Sequence, residues 1–140
     1  MSSFTTALQL EFDYEGDPKR PFILTTAFTY RIGNDEYRWV TVPVGFRTDF
    51  ASIPRPFRNI FSPTGRYGKA AVCHDYLYNR GWIGQLFIDD LTGDTFEHHT
   101  YPTRKEADDI LMEGMKVLGV GRITRFCVYW AVRIGGRGEF

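Results

Sequence analysis

Gly68-Lys69-Ala70-Ala71-Val72-Cys73-His74-Asp75-Tyr76-Leu77-Tyr78 is the stretch at which the chain changes its hydrophobic period. With Tyr67 just before it, Ala70, Ala71, His74, Leu77 and Tyr78 recur at the spacing of one helical face. Upstream the period is two. Leu8, Leu10, Phe12 and Tyr14 alternate with more polar neighbours, and Tyr37 to Val44 alternates again. Between them, Phe22 to Arg31 is rich in Thr, Phe, Ile and Tyr, residues suited to a pleated surface. Glu15-Gly16-Asp17-Pro18 and Gly33-Asn34-Asp35 supply the turns. The simplest reading is an antiparallel meander. Thr48 to Pro56 ends it, because Pro54 and Pro56 cannot donate to a ladder.

Downstream of the opening stretch, Leu86-Phe87-Ile88, a turn around Gly93 and Phe96 to His99 predict a small β-hairpin, read as a wing between two helices. Thr103-Arg104-Lys105-Glu106 is a capping box, with Thr103 as N-cap. Ala107, Ile110, Leu111, Met115 and Leu118 follow as an apolar stripe, and Gly119 suits the stop. Ile123, Phe126, Cys127, Trp130 and Ile134 form a third stripe, while Val128, Tyr129 and Val132 make the opposite side apolar too. A helix apolar nearly all round is expected to be buried or to meet a partner. The tail Gly135-Gly136-Arg137-Gly138 reads as flexible. The expectation is an α+β fold in one domain, 1–140: an N-terminal antiparallel β-sheet packed on about three C-terminal helices, with a small hairpin between the first two.

The bulk numbers narrow the function classes. The chain has 140 residues, 43% hydrophobic and 16% aromatic, enough for a core carried largely by rings. Seventeen basic residues balance seventeen acidic ones, which argues against nucleic acid as a partner and leaves little repulsion to keep copies apart. No run of about 20 apolar residues is present, so no transmembrane segment is expected. A basic stretch followed by an apolar run is missing at the N-terminus, so no secretory signal is expected. Two cysteines, Cys73 and Cys127, make neither a disulfide framework nor a zinc spacing.

His74 is the histidine placed on a predicted helix, with Asp75 next to it and Tyr78 one turn on. Asp108 sits at the edge of the following helix's apolar stripe, on the row of Leu111 and Met115. If the two helices pack antiparallel across the hairpin, Asp108 faces His74. A carboxylate on one imidazole nitrogen fixes the tautomer and raises the basicity of the other. His74, Tyr78 and Asp108 are therefore the candidate catalytic set. The same three can equally form a buried hydrogen-bond cluster that locks two helices together. Asp49 and Ser52 lie in a Pro-bounded polar loop, a common place for sites and also for Asx turns. His98 and His99 point to opposite faces of a strand, which disfavours a shared metal. Cys73 and His74 diverge by about 100° on a helix, a poor nucleophile–base pair. Arg122, Arg125, Arg133 and Arg137 read as a solvated or protein-contacting strip.

Two resemblances follow from these residues. Val44-Gly45-Phe46-Arg47-Thr48-Asp49-Phe50-Ala51-Ser52-Ile53-Pro54, the opening stretch, and Arg104-Lys105-Glu106-Ala107-Asp108 together resemble a phage-protein family known as domain of unknown function 1353. That resemblance implies a phage or prophage gene and supplies no mechanism. More distantly, Ala70-Ala71-Val72-Cys73-His74-Asp75-Tyr76-Leu77-Tyr78 and Ala107-Asp108 are similar to the helix pair of phospholipase A2, with Leu111 in place of an aromatic. This implies that His74 activates water, that Asp75 binds calcium and that Tyr78 with Asp108 holds His74. The calcium loop would have to come from Ser62 to Gly68 or from Asp49 to Ser52, neither with the glycine spacing of that family; Asp49 is the second candidate metal ligand.

The expected function is a bacteriophage virion component of the tail or baseplate, retaining the His/Asp helix pair and needing no cofactor. Its partners would be other phage proteins or further copies of itself, in the virion or in the host cytoplasm during assembly. The alternative is a calcium-dependent hydrolase of phospholipid or another cell-envelope ester, with His74 as general base.

Overall fold

The computed structural model describes residues 3–4, 7–33, 37–48 and 68–135. Their elements run β1 (Ser3–Phe4), β2 (Leu10–Phe12), β3 (Phe22–Leu24), β4 (Phe28–Arg31), β5 (Arg38–Val42), β6 (Arg47–Thr48), α1 (Gly68–Tyr78), β7 (Ile83–Ile88), β8 (Thr95–Thr100), α2 (Arg104–Val117) and α3 (Arg122–Gly135). The fold is α+β, with most strands N-terminal and the helices C-terminal. Among the described residues the strands form two antiparallel sheets, ordered β1-β4-β5-β7-β8 and β2-β3-β6.

The single meander expected from the alternation is thus divided between two sheets. Phe22 to Arg31 is two strands, broken at Thr25 and Thr26. There the Thr25 amide donates to the Gln9 carbonyl (3.0 Å) and the Thr26 hydroxyl to the Gln9 side-chain oxygen (2.7 Å), which tie the chain to the small sheet before it crosses to the large one. In the large sheet Phe28 faces Val42 and Tyr30 faces Val40 in register, and all four are buried on the face toward the helices. Thr29 and Thr41 pair on the other face, their hydroxyls 2.9 Å apart. This is period-two alternation resolved into an inside and an outside.

The hairpin is also placed differently from the expectation. β7 pairs with β5 through Arg38↔Gln85 and Trp39↔Gly84, so β7 and β8 extend the large sheet and are not a separate wing. Gly84 allows this closeness, because a Cβ there would meet the Trp39 ring at 2.5–2.8 Å. The turn closes through Asp89 N–H donating to the Asp94 carbonyl (2.8 Å), with Gly93 at φ +74°. β8 is the edge strand, and all six of its residues are exposed.

α1 is buried at every residue except Lys69. It packs against α2 on one side and against β5 and β6 on others. Ala70, Ala71 and Gly114 permit the close approach of α1 and α2: a Cβ on Gly114 would lie 3.5 Å from that of Ala70 and 3.3 Å from the Phe4 ring. The Thr103 hydroxyl accepts from the Glu106 amide (3.2 Å) and caps α2. Its far end is a Schellman stop: Gly119 N–H donates to Lys116 (3.1 Å) and Val120 N–H to Met115 (2.9 Å), with Val120 and Met115 both buried. α3 is buried along one side only. Val128 and Val132 pack inward on α2, while Ile123, Phe126, Cys127, Trp130 and Ile134 face outward. No helix among the described residues is long and apolar enough to cross a membrane.

Candidate functional site: a buried polar cluster at the helix junction

His74 and Asp75 are consecutive on a helix buried all round, so their side chains leave it in different directions, about 100° apart. His74 turns toward the other helices. Its Nε2 donates to Asp108 Oδ1 at 2.8 Å, and both side chains are wholly buried. Tyr78, one turn on, donates its hydroxyl to the same oxygen. Arg133 of α3 completes the carboxylate, its guanidinium donating to Oδ2 at 3.0 Å. Arg104 at the start of α2 donates to the Tyr78 hydroxyl (3.4 Å) and to the carbonyls of Val132 (2.8 Å) and Arg133 (2.7 Å) near the end of α3. Placing an Arg side chain on the last carbonyls of α3 satisfies groups that the helix leaves orphaned.

The electrostatics follow. Burial alone pushes the Asp108 carboxyl up, but the hydrogen bonds from His74, Tyr78 and Arg133 outweigh it and hold the group below its ordinary pKa. Asp108 is therefore a carboxylate, an acceptor only, and the proton in the His74 contact sits on Nε2. In the neutral imidazole the lone pair then resides on Nδ1. Burial and the neighbouring Asp108 raise the Tyr78 phenol, which stays protonated as the donor.

Asp75 turns toward the small sheet. The Thr48 hydroxyl of β6 donates to Asp75 Oδ2 (2.6 Å), and the Asn79 amide donates to Oδ1 (3.2 Å) and to the Asp75 carbonyl (2.7 Å). Arg20 in turn donates to the Asn79 side-chain oxygen. Two adjacent residues thus anchor α1 in two directions, His74 to α2 and α3, Asp75 to β6 and the turn before β3.

Asp75 is the candidate calcium ligand that lies among the described residues. Calcium takes six to eight oxygens. Here both carboxylate oxygens already accept from neutral donors, and no cluster of three His, Cys, Asp or Glu side chains occurs among the described residues. Asp49, Ser52 and the segment from Ser62 to Tyr67 lie outside the described residues. The structure brings together His74, Tyr78 and Asp108. It sets Asp75 apart from them in a second network. Arg133 and Arg104 are the members that sequence reasoning missed. Arg133 was visible as a basic residue in the last turn of an apolar helix, but the all-round pattern of α3 concealed which way it points. His98, His99 and Cys73 have contacts elsewhere. His98 lies against Phe87 and Phe96, His99 stacks on Trp82 at 3.6 Å between ring centroids, and burial pushes the Cys73 thiol up to about 12.

The family model described as "Protein of unknown function (DUF1353)" matches residues 22–132, a span that includes every member of both networks except Arg20 and Arg133. Comparison with curated proteins and with solved structures gives no match.

Proposed function

The chain belongs to the DUF1353 family, and from that footing we propose that it is a bacteriophage virion component, of the tail or baseplate, in which the His74–Asp108 pair is a helix lock. One observation carries the lock: Asp108 receives three donors, two from α1 and one from α3, while itself standing on α2. A buried carboxylate so completely engaged ties three helices at one point. The virion role draws on the neutral charge, which suits self-assembly, and on the outward apolar face of α3, which suits a partner. Particles purified from a host carrying the gene should contain the chain, as mass spectrometry of the particles reads.

A second reading is favoured by the orientation of the imidazole. With Nε2 spent on Asp108, Nδ1 is the basic nitrogen, the arrangement a general base requires. The substrate would be phospholipid or another cell-envelope ester. One experiment separates the two. The purified chain is assayed on phospholipid vesicles with and without calcium, beside thermal melts of His74→Ala. The lock reading expects no hydrolysis by the parent chain and a lowered melting temperature in the variant. Hydrolysis that falls about 10²- to 10⁴-fold in the variant would decide for the base.

A further inference from the structure

Two apolar surfaces of this chain lie open, and they carry opposite charge. The first is the outer face of α3. Ile123 is 80% exposed, Phe126 59% and Ile134 82%, and Phe126 meets Trp130 edge-on at 6.3 Å. Ile123, Cys127, Trp130 and Ile134 are spaced four, three and four apart, the spacing of a seam that packs against another surface. α3 contains Arg122, Arg125 and Arg133 and no acidic residue. Arg133 is turned inward to Asp108 and Arg125 reaches the Val120 carbonyl, whereas Arg122 is exposed beside Ile123.

The second surface is the distal half of the β7–β8 hairpin. Phe87 and Phe96 stack at 5.6 Å, Ile88 is exposed, and Leu91 at the tip is 96% exposed. Residues 87–97 include Asp89, Asp90, Asp94 and Glu97 and no Lys or Arg. With Leu91 and Ile123 both so open, the hairpin tip does not cover α3 within one copy. Exposed apolar clusters of this kind mark interaction sites.

We propose that the hairpin of one copy docks on the α3 face of a second copy, Leu91 and the Phe87–Phe96 pair against the Ile123–Trp130 seam, with the hairpin acids toward Arg122. The charge pattern selects this over an α3–α3 dimer, in which α3, having no acidic residue, would offer Arg122 no partner. Because the two surfaces differ, the contact is heterologous: each copy presents a free hairpin and a free helix, so the assembly extends into a ring or a filament. None of this depends on whether the chain is a virion component or a hydrolase.

The test is sedimentation velocity on the full chain over a range of protein and salt concentrations. The expected result is a mass that rises past a dimer with concentration and falls again in high salt. Leu91→Asp and Ile123→Asp should each weaken association about tenfold or more, with unchanged circular dichroism. Asp90→Lys combined with Asp94→Lys, and Arg122→Glu in a separate chain, should each assemble poorly alone. Mixed together they should assemble again, since every hairpin then meets a helix of opposite charge. A chain that stays monomeric throughout overturns the proposal. So does a dimer that Ile123→Asp abolishes and Leu91→Asp leaves intact, which would be the α3–α3 pairing, and so does a failure of the mixture to recover.

Discussion

His74 Nε2 lies 2.8 Å from Asp108 Oδ1 across 34 residues of chain, with neither side chain reached by solvent. The contact fixes the phase of α1 against α2, and Arg133 extends it to α3. Removing the carboxylate therefore leaves three donors without their acceptor. Leaving a buried donor without its acceptor costs about 1–3 kcal/mol per group. Asp108→Ala should lose that much in urea unfolding, and Arg133→Met, which removes one donor at the more open edge of the cluster, should lose measurably less. Equal and small losses in both would show that the cluster does not hold the helices.

Acid should act on the same carboxylate. Asp108 is held below its ordinary pKa because the donors outweigh the burial. A depressed carboxyl contributes stability that is complete above its unfolded value of about 3.9 and is lost as the pH falls through the lower folded value. Urea midpoints should accordingly hold above about pH 5 and drop below about pH 4. Asp13 and Asp109 are depressed as well, by Arg47 and by Lys105 with Tyr129 respectively, and share in the slope. The share of Asp108 is the part that disappears in Asp108→Asn. A profile that keeps its full slope in that variant assigns the acid sensitivity elsewhere.

What could be read from the sequence divides along physical lines. The spacing of His74 and Tyr78 and the capping box at Thr103 fix the phases of α1 and α2, so their meeting at Asp108 was legible in advance. Arg133 was not, because an all-round apolar helix has no phase to read; its inward side is settled by Val128 and Val132 packing on α2. The division of the strands was hidden for a different reason. Thr25 and Thr26 carry ordinary strand propensity, and the break there comes from bonds to Gln9, sixteen and seventeen residues away. The docking of β7 on β5 likewise rests on Gly84 under the Trp39 ring, a contact with no local signal.

The turn leaving α1 should tolerate no side chain at Gly81. Its amide donates to the Tyr76 carbonyl at 2.9 Å, and a Cβ there would run into that same carbonyl and into the Tyr76 ring. Backbone cannot yield as a flexible side chain can. Gly81→Ala should cost about 1–3 kcal/mol, the range for forced overpacking. Gly93→Ala carries open space but a φ of +74°, and should cost only about 1 kcal/mol through that conformation. Denaturant midpoints for the two variants, at unchanged m-value, check the ranking; a harmless Gly81→Ala would mean that the Tyr76 turn rearranges.

The two thiols should separate cleanly by reactivity. Cys127 is exposed on the outer face of α3, while Cys73 is buried in α1 and its thiol is pushed up to about 12 by burial. The thiolate is the reactive form, so at neutral pH Cys73 is both protonated and shielded. At protein concentrations low enough to keep copies apart, a thiol reagent should modify one cysteine per chain within minutes, and peptide mapping should place it at Cys127. Cys73 should react only at the rate at which α1 opens, which measures the stability of the buried helix directly. Asp108→Ala, by loosening the junction that α1 shares with α2 and α3, should speed modification of Cys73 and leave Cys127 unchanged. Equal reactivity of both cysteines in the parent chain would contradict the burial of α1 on which the helix lock depends.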